Sequence, residues 1–83
     1  MITVYGKQNC GFCTQAINLL NTTGLDYQKF IIDENISREE FVSKFPDVRT
    51  VPLIYNDDQR LGGYQQLKEY VDGLDRNEYN PNP

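Results

Sequence analysis

Not one of the 83 residues is a histidine. That absence removes the commonest general base, the commonest transition-metal ligand and the usual partner of a protease cysteine. Only two cysteines occur, Cys10 and Cys13, so one chain falls short of the four ligands a structural zinc takes. Positive charge is also scarce: 8 lysines and arginines stand against 12 aspartates and glutamates, a net charge of −4. With that sign and no basic cluster, nucleic acid is not an expected partner. Hydrophobic residues supply 39% of the chain but are scattered, and no run approaches the ~20 apolar residues of a membrane span. No cationic segment followed by an apolar run opens the sequence, so a secretion signal is not expected. The setting implied is cytoplasmic and reducing, where a purely structural disulfide would be unusual.

What is present suffices for one small domain. A chain of this size buries only about 60–65% of the surface its unfolded form exposes, and domains near that limit often recruit a disulfide or a metal. Met1–Tyr5 alternates around Ile2 and Val4 and reads as a strand. Thr14–Asn21 reads as a helix with Cys13, Ile17 and Leu20 in one stripe, Ala16 and Leu19 beside it, and Gly24 as its C-terminal cap. Tyr27–Ile32 is a second strand, apolar on both faces from Phe30 onward. Ser37 and Glu40 have the spacing of a capping box, with Ile36 and Phe41 as the accompanying hydrophobic staple. Phe41, Val42 and Phe45 are then expected on the buried side, and Pro46 ends that helix. Val51–Tyr55 is a third strand, and a turn at Asn56–Gln59 leads to a fourth ending at Gly62. Leu67, Tyr70, Val71 and Leu74 form the apolar face of a last helix. Residues 75–83 are expected to be a polar, flexible tail beyond a domain of residues 1–74. The order β-α-β-α-β-β-α predicts an α/β domain, with a parallel crossover unit followed by an antiparallel hairpin.

The cysteines lie in the stretch C-G-F-C, Cys10 where the first strand has given way to helix and Cys13 one turn inside. Residues three apart on a helix share a face, so a bond between them is feasible. At a helix start, unpaired amides and the helix dipole favour a thiolate at Cys10, and Lys7 adds positive charge to the same neighbourhood. Cys13 lacks that help and is expected to stay a thiol. As a structural staple the pair gains little, because loop-closure stabilisation grows with loop length. As a zinc site it would need a second chain. A redox pair next to a β-α-β pattern is the reading that remains.

With T-V-P at residues 50–52 and G-G-Y at 62–64 added to Lys7 and C-G-F-C, the chain resembles the glutaredoxin family over residues 1–74. The resemblance implies the thioredoxin-like (glutaredoxin) fold, a four-stranded mixed sheet flanked by three helices. It also implies a dithiol enzyme in which Cys10 attacks a protein disulfide or a glutathione mixed disulfide and Cys13 resolves the intermediate. Carried over position by position, the glutathione or substrate contacts are Lys7, Phe12, Arg49, Thr50, Val51, Pro52, Gly62, Gly63, Tyr64, Gln65 and Gln66. Pro52 is expected to be cis, leaving the Val51 backbone to pair with substrate. Gly62 and Gly63 are expected to let amides at the last helix approach a ligand carboxylate. Phe12, where relatives commonly carry tyrosine, is expected on the surface. Gln65 and Gln66 stand where relatives carry an aspartate for the ammonium of glutathione, so a charge-assisted contact becomes a neutral one, about half as strong. Three further implications accompany the resemblance. Glutathione is the co-substrate, with thioredoxin reductase as the rival electron source. Protein disulfides such as that of ribonucleotide reductase are partners of a monomer. Gly11 keeps open a dimer in which Cys10 and glutathione hold a [2Fe–2S] cluster.

Overall fold

The computed structural model describes residues 1–79, with side chains described through Leu74. The elements are β1 (Ile2–Gly6), α1 (Gly11–Thr23), β2 (Tyr27–Ile31), α2 (Arg38–Lys44), β3 (Leu53–Asn56), β4 (Gln59–Gly62) and α3 (Tyr64–Tyr79). The expected order is the observed one. The sheet runs β2-β1-β3-β4. β1 pairs in parallel with β2, antiparallel to β3, and β3 pairs antiparallel with β4. Every residue of β1 is buried, as the central position of that strand requires.

Strand alternation splits the core in two. Ile2 and Val4 point to one face and meet Ala16 and Leu20 of α1, Ile54, and Leu67 and Val71 of α3. Tyr5 points to the other face and meets Ile32, Phe41, Phe45 and Leu53, the helical cover being α2. Two helices therefore cover one face and one short helix the other. Both local signals in the connections hold. Gly24 caps α1 at φ 77°, a backbone region that costs glycine little. Ser37 Oγ accepts from the Glu40 amide at 3.0 Å, and the Ser37 amide donates to Glu40 Oε1 at 3.4 Å.

Several boundaries and faces differ from the sequence reading. α1 starts at Gly11, three residues before Thr14, because Cys10 itself caps the helix. Its buried line is Cys13, Ala16 and Leu20, with Ile17 and Leu19 only half-buried; on a 100° pitch, residue 17 falls further from that line than residue 16. Val42 was expected inside and is 55% exposed, since Phe41 and Phe45, one turn apart, already occupy the face of α2 toward the sheet. β2 is an edge strand, and Gln28 and Lys29 are exposed while Phe30 is half-buried. β3 begins at Leu53 rather than Val51. α3 continues through residues 75–79, which were placed in the tail; the first proline after Leu74 is Pro81, so nothing in that stretch breaks a helix. The remainder of the expected tail, residues 80–83, lies outside the described residues. Among the described residues no helix is long and apolar enough to cross a membrane.

Candidate active site

β1 ends at Gly6, and the chain turns through Gln8 and Asn9, the latter at φ 58°. It thereby delivers Cys10 to the N-cap of α1 in an extended conformation, φ −117° and ψ 109°. The Cys13 amide donates to Cys10 Sγ at 3.2 Å, and the Thr14 amide donates to the Cys10 carbonyl at 3.1 Å. The first contact satisfies an otherwise orphaned helix amide. It also places a donor and the positive end of the helix dipole on the sulfur, which favours a thiolate there once the pair is reduced.

Cys10 and Cys13 are joined as a disulfide, their Cα atoms 5.2 Å apart. Their surroundings are unequal. Cys10 is half-buried, whereas Cys13 is 2% exposed. The seat of Cys13 depends on Gly6, a residue the sequence reading did not single out. A Cβ on Gly6 would lie 3.1 Å from Cys13 Sγ and 3.2 Å from its Cβ, so the absence of a side chain there makes room for the inner cysteine. No pattern in the sequence signalled this, because Gly6 touches Cys13 across the turn.

The Val51–Pro52 peptide bond is cis, as the resemblance implied, and Pro52 is buried. The Val51 carbonyl oxygen lies 3.9 Å from Cys10 Sγ. Thr50 and Val51 form a ridge between two open grooves. The first, about 520 Å³, is lined by Lys7, Cys10 and Arg49, with Thr50 and Val51 as its wall. The second, about 460 Å³, is lined by Phe12, Pro52, Gly63, Tyr64, Gln65 and Gln66 on the far side of the same two residues. All the sequence-designated residues except Cys13 and Gly62 line one groove or the other. Gly62 lies at the turn into α3 with φ 123°, a conformation in which a Cβ would be strained.

Phe12 is 61% exposed and its ring centroid lies 6.1 Å from that of Tyr64. The two rings border the second groove from α1 and α3. The glutamines are not both available to a ligand. Gln66 Oε1 accepts from the Gly63 amide at 2.9 Å, half of the reciprocal arrangement of a capping box. Gln65 Nε2 points along the helix to Glu69 Oε2 at 3.5 Å, leaving its carbonyl oxygen unengaged among the described residues.

The loop that brings Arg49 and Thr50 to this ridge is tied down from behind. Arg60 of β4 donates to Asp47 at 2.7 Å and 3.4 Å and to the Tyr55 hydroxyl at 3.1 Å. Its hydrogen bond to Asp47 holds that carboxyl below its ordinary range, and the same bond raises the already high guanidinium value. Neither Asp47 nor Arg60 was singled out from the sequence. They are 13 residues apart, and only the sheet brings them together.

A disulfide that can open into one accessible and one buried sulfur, with a helix start behind the accessible one, is built for two-electron exchange with another disulfide. On a four-stranded mixed sheet with three helices, that makes the protein a thiol–disulfide oxidoreductase of the thioredoxin-like fold. Comparison with known proteins narrows the class. Residues 2–61 match the family model Glutaredoxin, and the chain belongs to the glutaredoxin family, as a two-cysteine, dithiol member. It is similar to a probable glutaredoxin of Synechocystis sp., 36% identical over 67 residues that cover 80% of this chain and 76% of that protein. Glutaredoxin 3 of Escherichia coli is 35% identical over 66 residues, 80% of each chain. Among solved structures, reduced Escherichia coli glutaredoxin superposes with a TM-score of 0.72 at 30% identity, covering 89% of this chain and 96% of that one. A buckwheat glutaredoxin–glutathione complex shares the fold, with a TM-score of 0.69 at 23% identity over 87% and 69% of the two chains.

Proposed function

We propose that this enzyme is a glutathione-dependent thiol–disulfide oxidoreductase in which Cys10 is the nucleophile and Cys13 the resolving thiol. The observation that carries the reading is the half-buried Cys10, set at the N-terminus of α1 and lining the groove with Lys7 and Arg49, while Cys13 is sealed in the core. The Cys10 thiolate attacks the glutathione sulfur of a mixed disulfide, forming Cys10–S–S–glutathione and expelling the target thiolate, which takes up a proton. A second glutathione thiolate then attacks the glutathione sulfur of that intermediate. Oxidised glutathione leaves and Cys10 regains its thiolate. With a protein disulfide, Cys10 forms a mixed disulfide with one target sulfur. Cys13 attacks Cys10, closes the Cys10–Cys13 bond and releases the target as a dithiol. Two glutathiones reopen the pair. A general base is unnecessary because the nucleophile is already a thiolate.

In this reading the Val51 backbone pairs with the ligand backbone as a short strand addition. Lys7 and Arg49 take the glycine-end carboxylate of glutathione. Phe12 and Tyr64 flank its γ-glutamyl arm, near Gly62 and Gly63. Gln66 already occupies the Gly63 amide, so Gln65 is the residue whose carbonyl meets the ligand ammonium. A monomer in a reducing cytoplasm, acting on protein disulfides such as that of ribonucleotide reductase, completes the proposal. A [2Fe–2S] cluster would require Cys10 from two copies and two glutathione thiolates, because among the described residues no three ligating side chains converge.

The deciding experiment is steady-state reduction of a glutathione mixed disulfide, with NADPH, glutathione reductase and glutathione supplying electrons. Turnover is expected. Turnover only when thioredoxin reductase replaces the glutathione system would overturn the assignment of the reductant.

A further inference from the structure

The Thr50–Val51 ridge sits in the connection between α2, which ends at Lys44, and β3, which begins at Leu53. A segment that is to pair with a substrate backbone must leave its own amides and carbonyls free. Among the described residues, residues 49–52 make no backbone–backbone hydrogen bond. Free backbone is also loose backbone unless side chains hold it. Pro52, buried, fixes one end. Toward the other end the one backbone tie is the Val48 amide to the Phe45 carbonyl at 3.1 Å, a bond inside the same turn that cannot fix the turn to the sheet.

That attachment is made by Asp47. Two guanidinium nitrogens of Arg60 reach its carboxylate, at 2.7 Å and 3.4 Å, whereas the two other ion pairs between side chains of described residues are 3.9 Å long. Arg60 is itself held. Its Nε donates to the Tyr55 hydroxyl at 3.1 Å, and its guanidinium carbon stands 5.7 Å from the centroid of the Tyr55 ring. Tyr55 is the cross-strand partner of Arg60, so the two share a face of the sheet. The Tyr55 ring in turn packs against Tyr5 and Phe45, at 6.4 Å and 5.7 Å between centroids. A continuous line of contacts thus runs from buried Tyr5 through Tyr55, Arg60 and Asp47 to the ridge. An isolated exposed ion pair contributes little, but a two-pronged pair within a network is the exception.

We infer that Arg60 and Asp47 are positioning residues of the redox reaction: their clamp presets the Thr50–Val51 backbone for the strand-like docking of substrate. This rests on the docking at Val51 proposed above and adds what holds that surface ready. Neither residue lines either groove, so the clamp acts only through the segment it holds. A docking segment ordered beforehand spends less of the binding free energy on its own ordering. The effect therefore falls on how well substrate docks and leaves the reactivity of Cys10 as it is.

The test uses the full chain with NADPH, glutathione reductase and glutathione, and a glutathionylated cysteine peptide that carries no other charge. Arg60→Gln and Asp47→Asn are each expected to raise the apparent KM for that peptide by about twofold to fivefold, the range of an exposed pair. Little change in kcat is expected, as when binding common to ground and transition states is lost. The double variant is expected to be no worse than the worse single one, because both changes break one contact. Tyr55→Phe removes a hydroxyl and keeps the ring, and a smaller rise in the same direction is expected. Alkylation of reduced Cys10 by iodoacetamide, which has no peptide to lay on the ridge, is expected to match the wild type in every variant. The sign separates position from charge. Glutathione carries two carboxylates and one ammonium, so charge alone makes Asp47→Asn bind it better and Arg60→Gln worse. Opposite shifts in those two variants overturn the inference, as do unchanged KM values or losses that add in the double variant. Alkylation that slows in step with turnover overturns it too, because the effect then lies at Cys10. Where circular dichroism shows a charge variant to be unfolded, Tyr55→Phe decides alone, and a wild-type KM there overturns the clamp. Failure of the wild type to turn over the peptide while its Cys10 alkylates overturns the glutathione reading and this inference with it.

Discussion

Cys10 does two separable things, and replacing it by serine and by alanine pulls them apart. Its sulfur is the proposed nucleophile, and it also caps α1 by accepting the Cys13 amide at 3.2 Å. Serine keeps an acceptor at the cap and loses the thiol; alanine loses both. Removing an N-cap acceptor costs about 1 kcal/mol, within a range of about 0.5–2. For a domain of this size 1 kcal/mol corresponds to roughly 4–8 °C in Tm. Cys10→Ala is therefore expected to melt about 4–8 °C below Cys10→Ser, and neither is expected to turn over a mixed disulfide. The comparison is made between the two variants in excess reductant, with thermal unfolding followed by circular dichroism. Comparing either with the oxidised wild type would mix in the cross-link, about 2 kcal/mol from the loop-entropy relation for a loop of about four residues. Melting points within about 1 °C of each other would refute the cap as an energetic contributor, and residual turnover by Cys10→Ser would refute the assignment of the nucleophile.

Four other perturbations probe different parts of the molecule. Cys13→Ser is expected to retain reduction of glutathione mixed disulfides and lose reduction of protein disulfides; equal loss in both assays would contradict the division of roles. Gly6→Ala presses a methyl group against the buried Cys13 at 3.1–3.2 Å and is expected to destabilise by about 1–3 kcal/mol, read from urea unfolding, as overpacked cores do. Gly11→Pro is expected to leave stability unchanged or raised. Nothing lies within 4 Å of a Cβ at Gly11, it is the first residue of α1, and Cys10 before it is already extended, the geometry proline asks of its neighbour. Asp47 has its carboxyl lowered chiefly by the hydrogen bond from Arg60. A depressed folded-state value means stabilisation that is present above the unfolded value of about 3.9 and fades as pH falls through the lower folded one. The wild type is expected to lose more Tm between neutral pH and the acid range below about 4 than Arg60→Gln does, and parallel Tm–pH curves would discount the pair.

How far the site was legible depended on how local each signal was. The Ser37–Glu40 box, the Gly24 cap and the C-G-F-C pair are contained in a few consecutive residues, and each was read where it stands. Faces were harder. Val42 looks like core in a heptad-like pattern, but α2 is only 7 residues long and has one strip to bury, which Phe41 and Phe45 fill. The same arithmetic set Ala16 ahead of Ile17 on α1. Long-range partners were invisible: Gly6 against Cys13 through the turn, Asp47 with Arg60 across β4, Arg38 and Val42 beside a groove with Lys7 and Arg49.

The amino-acid sequence by itself determined the order of the elements, the redox character of the cysteine pair and the inequality between its members. Those follow from periodicity, turn chemistry and the position of Cys10 at a helix start, all of which act within about one helical turn. The tertiary structure alone decided how deeply Cys13 is sealed and that Gln66 spends its carbonyl on Gly63. It also decided that, among the described residues, Lys7, Arg38 and Arg49 line one groove beside Cys10 with no acid among them. Each of these depends on which surfaces the sheet order β2-β1-β3-β4 presses together. Packing of distant segments sets burial and charge convergence, and no local pattern carries that information.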